Sequence, residues 1–371
     1  MTGSCAEPSR QQESYVNLQG KSILVTGGTG SLGRALVHRL LAGEEGVPKK
    51  VIVLSRDEAK QHAMRIAYLN RLVSTDEVIY RNFEMTLEFR IGDVRSYADV
   101  CSALRDVDIV VNAAALKQVP TCEYFPTQAV ATNCLGPENI VRAIREHAFP
   151  VETVIGISTD KACKPVNVMG MTKAVQERIF VAANILIPQT RFICVRYGNV
   201  LSSRGSVVPL FDQQIRSGGP VTVTSALMTR FLLSLDEAVD VVFRALDEGL
   251  PGETYVPILR AARVIDIARA MIGDRQIPIE EIGVRPGEKL NEVLVSEEEC
   301  QRVIRRNGFY VILPLMPELR GDVMGDVALE QEYSSADEVL SAESTAALLA
   351  QHEFLPDQRV AAKTESERFL Q

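Results

Sequence analysis

The chain has 371 residues, and its 40 Lys and Arg against 48 Asp and Glu give a formal net charge of −8. Its length and its 46% apolar residues suffice to bury a full core in one large domain or two closely joined ones. A mildly acidic chain without a basic block does not fit a general nucleic-acid or anionic-membrane binder, because neutralising phosphates requires clustered Lys and Arg.

The first 200 residues alternate short apolar strands with helical patterns. Residues 1–19 are polar, lack the apolar core of a signal peptide and are predicted to be a flexible N-terminal tail. Predicted strands lie at 21–26, 51–55, 89–93, 108–115, 151–158 and 191–199, and predicted helices lie near 32–40, 57–72, 96–105, 127–147 and 170–184. Continuously apolar strands indicate that both sheet faces are covered, which predicts an α/β fold of Rossmann type with a doubly wound parallel sheet.

The pattern changes near residue 200 to segments punctuated by Gly and Pro, with predicted helices near 235–249 and 264–272. We therefore predict a dinucleotide-binding domain over residues 20–200, which carries the catalytic motif. A smaller C-terminal lobe over 201–345 is expected to bind mainly substrate. A helix is predicted at 342–352, and residues 346–371 are predicted to be a weakly structured tail.

The spacing of Cys and His predicts no metal site and no disulfide framework. The 7 Cys are scattered without a CxxC pair, and the 4 His have no HxxxH pair. The longest nearly uninterrupted apolar stretch, 179–187, contains Asn184 and is far shorter than the roughly 18 residues of a membrane span. These features favour a soluble cytoplasmic protein with reduced thiols and no membrane span.

A glycine-rich motif stands between the first predicted strand and helix. Glycines there let the backbone turn and approach a pyrophosphate, whose charge is met by the N–H groups at the helix start. The residues expected to bind the cofactor at this turn are Gly27, Thr29, Gly30, Ser31, Leu32 and Gly33.

The end of the second strand normally selects between NAD and NADP, since an acid there binds ribose hydroxyls and a basic side chain accepts the extra phosphate. Ser55 stands where the acid is expected, and Arg56 and Lys60 follow. We therefore favour NADP; the alternative is NAD, with Asp57 acting as the acid. Further cofactor contacts are expected from Asp93 and Val94 at the adenine and from the small residues Ala113, Ala114 and Ala115.

Eight ordered motifs carry a family resemblance: TGGTGSLG, LSRDE, GDVR, NAAALKQVP, STDKACKPVNVMGMTK, VRYGNVLSSRGSVVP, MTRFLLSLDEA and RPGEKLNE. Over about 20–345 the chain resembles the extended short-chain dehydrogenase/reductase family. Within that family it is similar to the polysaccharide-biosynthesis branch of UDP-N-acetylglucosamine 4,6-dehydratases, the type that inverts C5. The resemblance implies a lyase that oxidises C4, eliminates water across C5 and C6, and returns the hydride to C6.

The segment after the fifth predicted strand supplies the candidate acid–base groups. By resemblance, Thr159 hydrogen-bonds O4 or the ketone, Asp160 protonates the departing hydroxyl and Lys161 handles the C5 proton. A lysine must be neutral to act as a base, so we expect burial or a nearby cation such as Lys173 to lower the pKa of Lys161. The resemblance also implies that Lys173 binds the nicotinamide ribose, with Asn133 helping to place it.

The chain departs from the family pattern at Met169. Short-chain dehydrogenases commonly have YxxxK, with the tyrosine as base, whereas here the pair is Met169 and Lys173. A thioether cannot usefully exchange a proton. A subset of the resembling dehydratases also has Met here, and Asp160, Lys161 or a water bound to Lys173 could replace the tyrosine; loss of activity is the other explanation.

The remaining motifs resemble a UDP-sugar site and indicate a UDP-N-acetylglucosamine substrate. Lys117 is expected to face the sugar or its diphosphate, and Asn199 offers an amide. The arginines and acid that we expect at the diphosphate and uridine ribose are Arg204, Arg230, Arg285 and Glu288. Family members usually self-associate, so a homo-oligomer is expected.

Three alternatives remain at this point. The enzyme could release a 5,6-unsaturated exo-glycal sugar before the hydride returns. It could be a UDP-sugar C4 epimerase, which needs the same oxidation but no elimination. It could also be a non-catalytic nucleotide sensor that keeps the fold.

Overall fold

The computed structural model describes residues 16–69, 77–201, 203, 206–320 and 326–355. In chain order its strands are β1 (Ser22–Thr26), β2 (Lys50–Ser55), β3 (Leu87–Ile91), β4 (Ile109–Asn112), β5 (Thr153–Ile157), β6 (Arg191–Val195), β7 (Asn199–Val200), β8 (Val221–Val223), β9 (Thr229–Leu233), β10 (Thr254–Pro257), β11 (Arg260–Arg263), β12 (Ile279–Glu281), β13 (Val293–Val295), β14 (Val303–Arg306), β15 (Phe309–Ile312) and β16 (Tyr333–Ser334). Its α-helices are α1 (Ser31–Ala42), α2 (Glu58–Leu69), α3 (Glu77–Thr86), α4 (Tyr97–Ala103), α5 (Val119–Tyr124), α6 (Pro126–Val130), α7 (Gly136–His147), α8 (Val168–Leu186), α9 (Val207–Arg216), α10 (Leu235–Glu248), α11 (Val264–Ile272), α12 (Glu297–Cys300) and α13 (Ala342–Gln351).

A nine-stranded sheet runs in the order β14-β15-β10-β6-β5-β4-β1-β2-β3. Within this sheet, β10, β6, β5, β4, β1, β2 and β3 pair in parallel with their neighbours. Strands β15 and β14 add an antiparallel edge beside β10. The chain order reverses between β1 and β4, which is the point where doubly wound sheets bind their ligands. The expected Rossmann-type α/β fold is confirmed.

Two apolar cores cover the two faces of this sheet. One core joins alternate residues of β1 and β2 to α1 and α10, and the other joins the opposite faces to α4, α7 and α8. This two-sided burial explains why the strands read as continuous apolar runs. Among the described helices, none is long and apolar enough to cross a membrane.

Three predicted elements differ from the structure. The predicted helix at 57–72 ends at residue 69 where it is described, with 70–76 outside the described residues, and α3 follows unpredicted. The predicted helix at 127–147 is α6 and α7 joined by a π-helical turn, Ala131–Leu135. The predicted strand at 191–199 ends at Val195, because the chain then turns away and β7 pairs with β9 in another sheet.

The segment beyond residue 200 contributes to both parts of the molecule. Strands β10, β14 and β15 return to the main sheet. In the lobe, β9 and β11 form one small sheet with the preceding strand β7, β8 and β12 form another, and α9 and α11 contribute to a separate apolar core. Residues 201–345 therefore enclose the site from one side while completing the sheet on the other.

Candidate active site

A cleft of about 720 Å³ lies between the main sheet and the lobe. Its volume falls within the range of small-molecule and cofactor sites. It brings together most of the residues predicted from sequence: Gly27, Thr29, Gly30, Ser31, Leu32, Gly33, Ser55, Arg56, Lys60, Asp93, Val94, Ala113, Ala114, Ala115, Lys117, Thr159, Lys161, Met169, Lys173, Asn199, Arg230, Arg285 and Glu288. Asp160 and Asn133 are not among its lining residues, and Arg204 lies outside the described residues.

The glycine turn has the shape of a dinucleotide cradle. Gly27 has φ +65°, and a Cβ there would lie 2.8 Å from the Ala114 backbone. A Cβ on Gly33 would lie 2.5 Å from the Cα of Gly28. Helix α1 begins after Gly30 without a side-chain cap, so its N-terminus faces the cleft as backbone alone. These residues fit a pyrophosphate, because larger side chains would fill the space that it needs.

The cleft end beside β2 carries Arg56 and Lys60, and each of these cations is paired with a carboxylate. Ser55 Oγ lies 3.0 Å from Thr29 Oγ1, and the Arg56 guanidinium is 57% exposed and 3.8 Å from the Asp93 carboxylate. Lys60 forms an ion pair with Asp57, which is not a lining residue. Burial by itself would raise the pKa of Asp93, but hydrogen bonds and charge from Arg95 outweigh burial, so the net shift is downward. This end of the cleft is therefore lined by two cations, the Asp93 carboxylate and the Ser55 hydroxyl.

The turn after β5 presents the candidate acid–base residues. Thr159 caps a short 3₁₀ helix, Asp160–Ala162, and accepts a hydrogen bond from the Lys161 amide. The carbonyl of Lys161 packs against Gly170, where any Cβ would clash with it. Helix α8 starts beside this contact, capped by Asn167, whose Oδ1 accepts from the Gly170 amide at 2.8 Å. Gly170 in the MGMTK segment thus allows the turn after β5 to pack on α8.

Lys161 lies between two carboxylates at the cleft wall. Its Nζ is 3.0 Å from Asp160 Oδ1, 3.0 Å from Glu292 Oε1 and 3.4 Å from Asn199 Oδ1. Burial by itself lowers the pKa of Lys161, but the two carboxylates outweigh burial and the charge of Arg230, so the net shift is upward. The expected lowering of this pKa is therefore wrong, and the resting side chain is an ammonium.

Asp160 lies behind the cleft wall. It is fully buried, and its Oδ1 accepts hydrogen bonds from Thr159 Oγ1 at 2.8 Å and from Lys161 Nζ. Its Oδ2 is buried without a hydrogen-bond partner. Asp160 is not a lining residue, and the side chains of Thr159 and Lys161 lie between its carboxylate and the cleft. The expected protonation of a departing hydroxyl by Asp160 stays a prediction, and it would have to pass through these side chains.

Met169 and Lys173 occupy the positions of the YxxxK pair. Met169 is 5% exposed and packs in a small apolar cluster with Cys122 and Ala129. Lys173 Nζ donates to the carbonyl of Ile157 at 2.5 Å and to Gln176 Oε1 at 2.6 Å. Burial lowers the pKa of Lys173 to about 8. Among the lysines that line the cleft, Lys161 is therefore stabilised as a cation, whereas Lys173 releases its proton more easily.

Asn133 acts through other residues rather than through the cleft. It is fully buried, and its amide bonds Leu116 N and O at 2.8 and 2.9 Å and Thr172 Oγ1 at 3.0 Å. It therefore ties the loop after β4 to α8. The expectation that Asn133 helps to place the nicotinamide ribose stays a prediction, and in this geometry it would act through Leu116 and α8.

The lobe side of the cleft departs in part from expectation. Arg230 lines the cleft, but its NH1 and NH2 groups donate to the carbonyls of Thr229, Lys289 and Leu290. Arg230 therefore holds two segments of the lobe together, and these donors are already used within the protein. Arg285 is exposed at the cleft, and Glu288 Oε2 accepts from Thr224 Oγ1 at 3.2 Å.

Sequence reasoning missed Glu292, which lies in the quoted motif RPGEKLNE. It is 2% exposed, lines the cleft and pairs with Lys161. A charged residue before a short apolar strand was its only sequence signal. Its importance comes from a contact between residues 131 positions apart in the chain.

A buried ion cluster contacts the turn after β5 on the side away from the cleft. Arg196 is 3% exposed and pairs with Glu177 at 2.6 Å and with Glu299 at 2.8 Å. Glu177 also accepts from Ser158 Oγ at 2.5 Å, one residue before Thr159. The cluster therefore links α8, the end of β6, the turn after β5 and α12.

The comparisons with known proteins agree with this architecture. A model of the family described as "Polysaccharide biosynthesis protein" matches residues 23–314. A relative named UDP-glucose 4-epimerase from Rickettsia conorii is 43% identical over 297 residues, which cover 79% of this chain and 82% of that protein. The structure of Pen from Bacillus thuringiensis is 32% identical, has a TM-score of 0.81, and is covered to 99%, against 91% of this chain. DesIV, a dTDP-glucose 4,6-dehydratase from Streptomyces venezuelae, shares the fold at 21% identity and a TM-score of 0.61, covering 72% of this chain and 86% of its own.

The family match covers both the main sheet and most of the lobe, so it includes the glycine turn, the turn after β5 and the segment that carries Glu292. The fold and the relatives lead to the same assignment. The chain therefore belongs to the polysaccharide biosynthesis protein family, among the nucleotide-sugar dehydratases and epimerases of the extended short-chain dehydrogenase/reductase class.

Proposed function

We propose that this protein is an NADP-dependent UDP-N-acetylglucosamine 4,6-dehydratase that forms a UDP-4-keto-6-deoxy-hexosamine, with inversion at C5. The observation that carries this proposal is the Asp160–Lys161 ion pair at the cleft, in a chain with Met169 instead of the YxxxK tyrosine. Elimination needs groups that exchange protons at C5 and at the departing oxygen. An epimerase has no need of such a pair.

The cofactor proposal depends on the glycine cradle and on the two cations at the cleft end beside β2. The turn of Gly27 and Gly33 would hold the pyrophosphate. Arg56 and Lys60 would meet the extra phosphate of NADP, because Ser55 stands where NAD enzymes place an acid. When bound, the nicotinamide would supply hydride acceptance at C4 and hydride donation at C6 of the sugar.

The chain's own residues provide a proton route. The O4 proton passes through the Thr159 hydroxyl to Asp160 Oδ1, 2.8 Å away, and this relay takes the place of the missing tyrosine. Lys161, as a neutral amine, takes the proton from C5. The proton held on Asp160 then passes back through the Thr159 hydroxyl to the C6 oxygen, which departs as water. The proton taken from C5 is returned to that carbon once C6 has received its hydride.

The second candidate is UDP-sugar C4 epimerisation, and one observation favours it. Relatives named UDP-glucose 4-epimerase are 42–43% identical to this chain over about four fifths of its length. An epimerase would return the hydride to C4 and use no elimination.

The products separate these candidates when the purified protein is incubated with UDP-N-acetylglucosamine. We expect the product to be lighter by one water and to show a new methyl signal in the proton spectrum. The nucleotide released on denaturation should be NADP by mass. Vinyl protons would indicate the exo-glycal, an isomer of unchanged mass would indicate epimerisation, and an unchanged sugar would indicate a nucleotide sensor.

Met169→Tyr should lower turnover by about tenfold or more rather than restore it. The larger ring would either overpack the cluster of Met169, Cys122 and Ala129, which costs about 1–3 kcal/mol, or occupy space in the cleft that Met169 lines. Met169→Leu keeps the volume without adding a hydroxyl and separates packing from proton chemistry. Initial rates of product formation test this prediction; a large gain by Met169→Tyr would show that the natural site is impaired.

A further inference from the structure

The proton route leaves one step without an acceptor. Lys161 must lose a proton before it can act at C5, yet Asp160 is by then occupied by the O4 proton. The charged groups that face Lys161 are Asp160 on its own turn, Glu292 ahead of β13 and Arg230 on β9. Of these described groups, Glu292 is the base that remains.

We propose that Glu292 is a positioning residue for this reaction, which holds Lys161 in the cleft and accepts its proton when Lys161 is needed as a base. This inference rests on the proposed dehydratase function. In the step, the N–H bond at Lys161 Nζ breaks, its electron pair stays on nitrogen, and an O–H bond forms on Glu292 Oε1. The reverse transfer restores the ion pair after turnover.

The geometry of Glu292 suits this role. Oε1 lies 3.0 Å from Lys161 Nζ, which is a hydrogen-bonding distance. The side chain is 2% exposed, and Oε2 is buried without a hydrogen-bond partner. At this distance the proton can pass directly from Nζ to Oε1 without an intervening group. Arg230 Nε lies 3.9 Å from Glu292 Oε1, and its charge lowers the pKa of Lys161, which favours release of the proton from Lys161.

The order of events follows from charge. While Asp160 is ionised, two carboxylates hold one ammonium and keep the pKa of Lys161 raised. When the O4 proton neutralises Asp160, one of these carboxylates loses its charge. Transfer to Glu292 then converts an ion pair into a neutral pair, which a water-poor environment tolerates.

Glu292→Gln removes the acceptor while keeping the shape of the side chain. We expect kcat to fall at least about 100-fold at pH 7, with little change in KM or in bound cofactor. Lys161 would then lose its proton only to solvent, so kcat of this variant should rise about tenfold per pH unit between pH 7 and 9. The wild type should be nearly independent of pH over that range. A merely structural role would lower kcat without this new pH dependence.

Two further variants control for folding and charge. Glu292→Asp keeps a carboxylate at a longer distance and should retain intermediate activity with a flat profile. Glu297→Gln removes an exposed acid, 70% exposed, from the same lobe and should resemble the wild type. Wild-type kcat and a wild-type profile in Glu292→Gln would overturn the proposal.

Amine labelling distinguishes failure of this inference from failure of the dehydratase proposal. Acetic anhydride is added at pH 8, and modification is followed at the peptide that contains Lys161. Loss of the Glu292 charge should speed labelling several-fold, whatever reaction the enzyme catalyses. Unchanged labelling would show that the two side chains do not interact and would overturn the proposal. A product other than the dehydrated sugar, with faster labelling, would reject the dehydratase function and with it the proton transfer at C5.

Discussion

Lys161→Ala is expected to lower dehydration by about 10²- to 10⁴-fold, which is the range for loss of a general acid–base group. The amine that we assign to C5 would be absent, and Asp160 and Glu292 would lose their shared cation. The glycine cradle at Gly27 and Gly33 does not contact this side chain, so the variant should retain its nucleotide. Product formation and the nucleotide released on denaturation measure both outcomes.

Lys164→Ala is a matched control for this variant. Lys164 lies three residues further along the same segment, but its side chain is 38% exposed and pairs with Glu332 at 2.5 Å. We expect its turnover to stay within about twofold of the wild type, since an exposed ion pair contributes little. Near-normal turnover in Lys161→Ala would remove Lys161 from the mechanism and leave the ion pair as a structural feature.

Arg196→Met should produce the largest loss of stability. The substitution leaves Glu177 and Glu299 as buried carboxylates without their cation, and breaking a buried ion pair in this way costs about 3–5 kcal/mol. The free energy of unfolding from urea titration measures the effect. Arg216→Met, which removes an exposed i,i+4 pair with Asp212, should cost less than about 1 kcal/mol. Equal losses in the two variants would contradict the assigned importance of the cluster.

The pH dependence of stability provides a second readout for Arg196→Met. Burial alone would raise the pKa of Glu299, but Arg196 outweighs it and lowers the pKa from 4.5 to about 2. A carboxylate with a lowered folded-state pKa stabilises the fold above its ordinary pKa and loses this contribution as pH falls toward 2. The stability lost by the wild type between about pH 5 and 2 should therefore be smaller in Arg196→Met.

Helix α3 shows why some local structure could not be read from the chain. Its residues Glu77–Thr86 carry an apolar face toward α1 and β2, but polar residues interrupt the run. Short helices gain most of their stability from tertiary packing rather than from propensity. The same reason explains the π-helical turn at Ala131–Leu135, which has no distinct local composition.

The amino-acid sequence by itself determined the parallel sheet and the glycine-rich turn, and most of the site residues predicted from it lie in the cleft. It could do so because buried strands and phosphate-binding turns leave local patterns in the chain. Only the tertiary structure decided that Asp160 lies behind the cleft wall, that the donors of Arg230 go to backbone carbonyls, and that Glu292 meets Lys161. The protonation of Lys161 depends on charges brought together from distant segments, and such through-space interactions leave no periodic signal in a sequence.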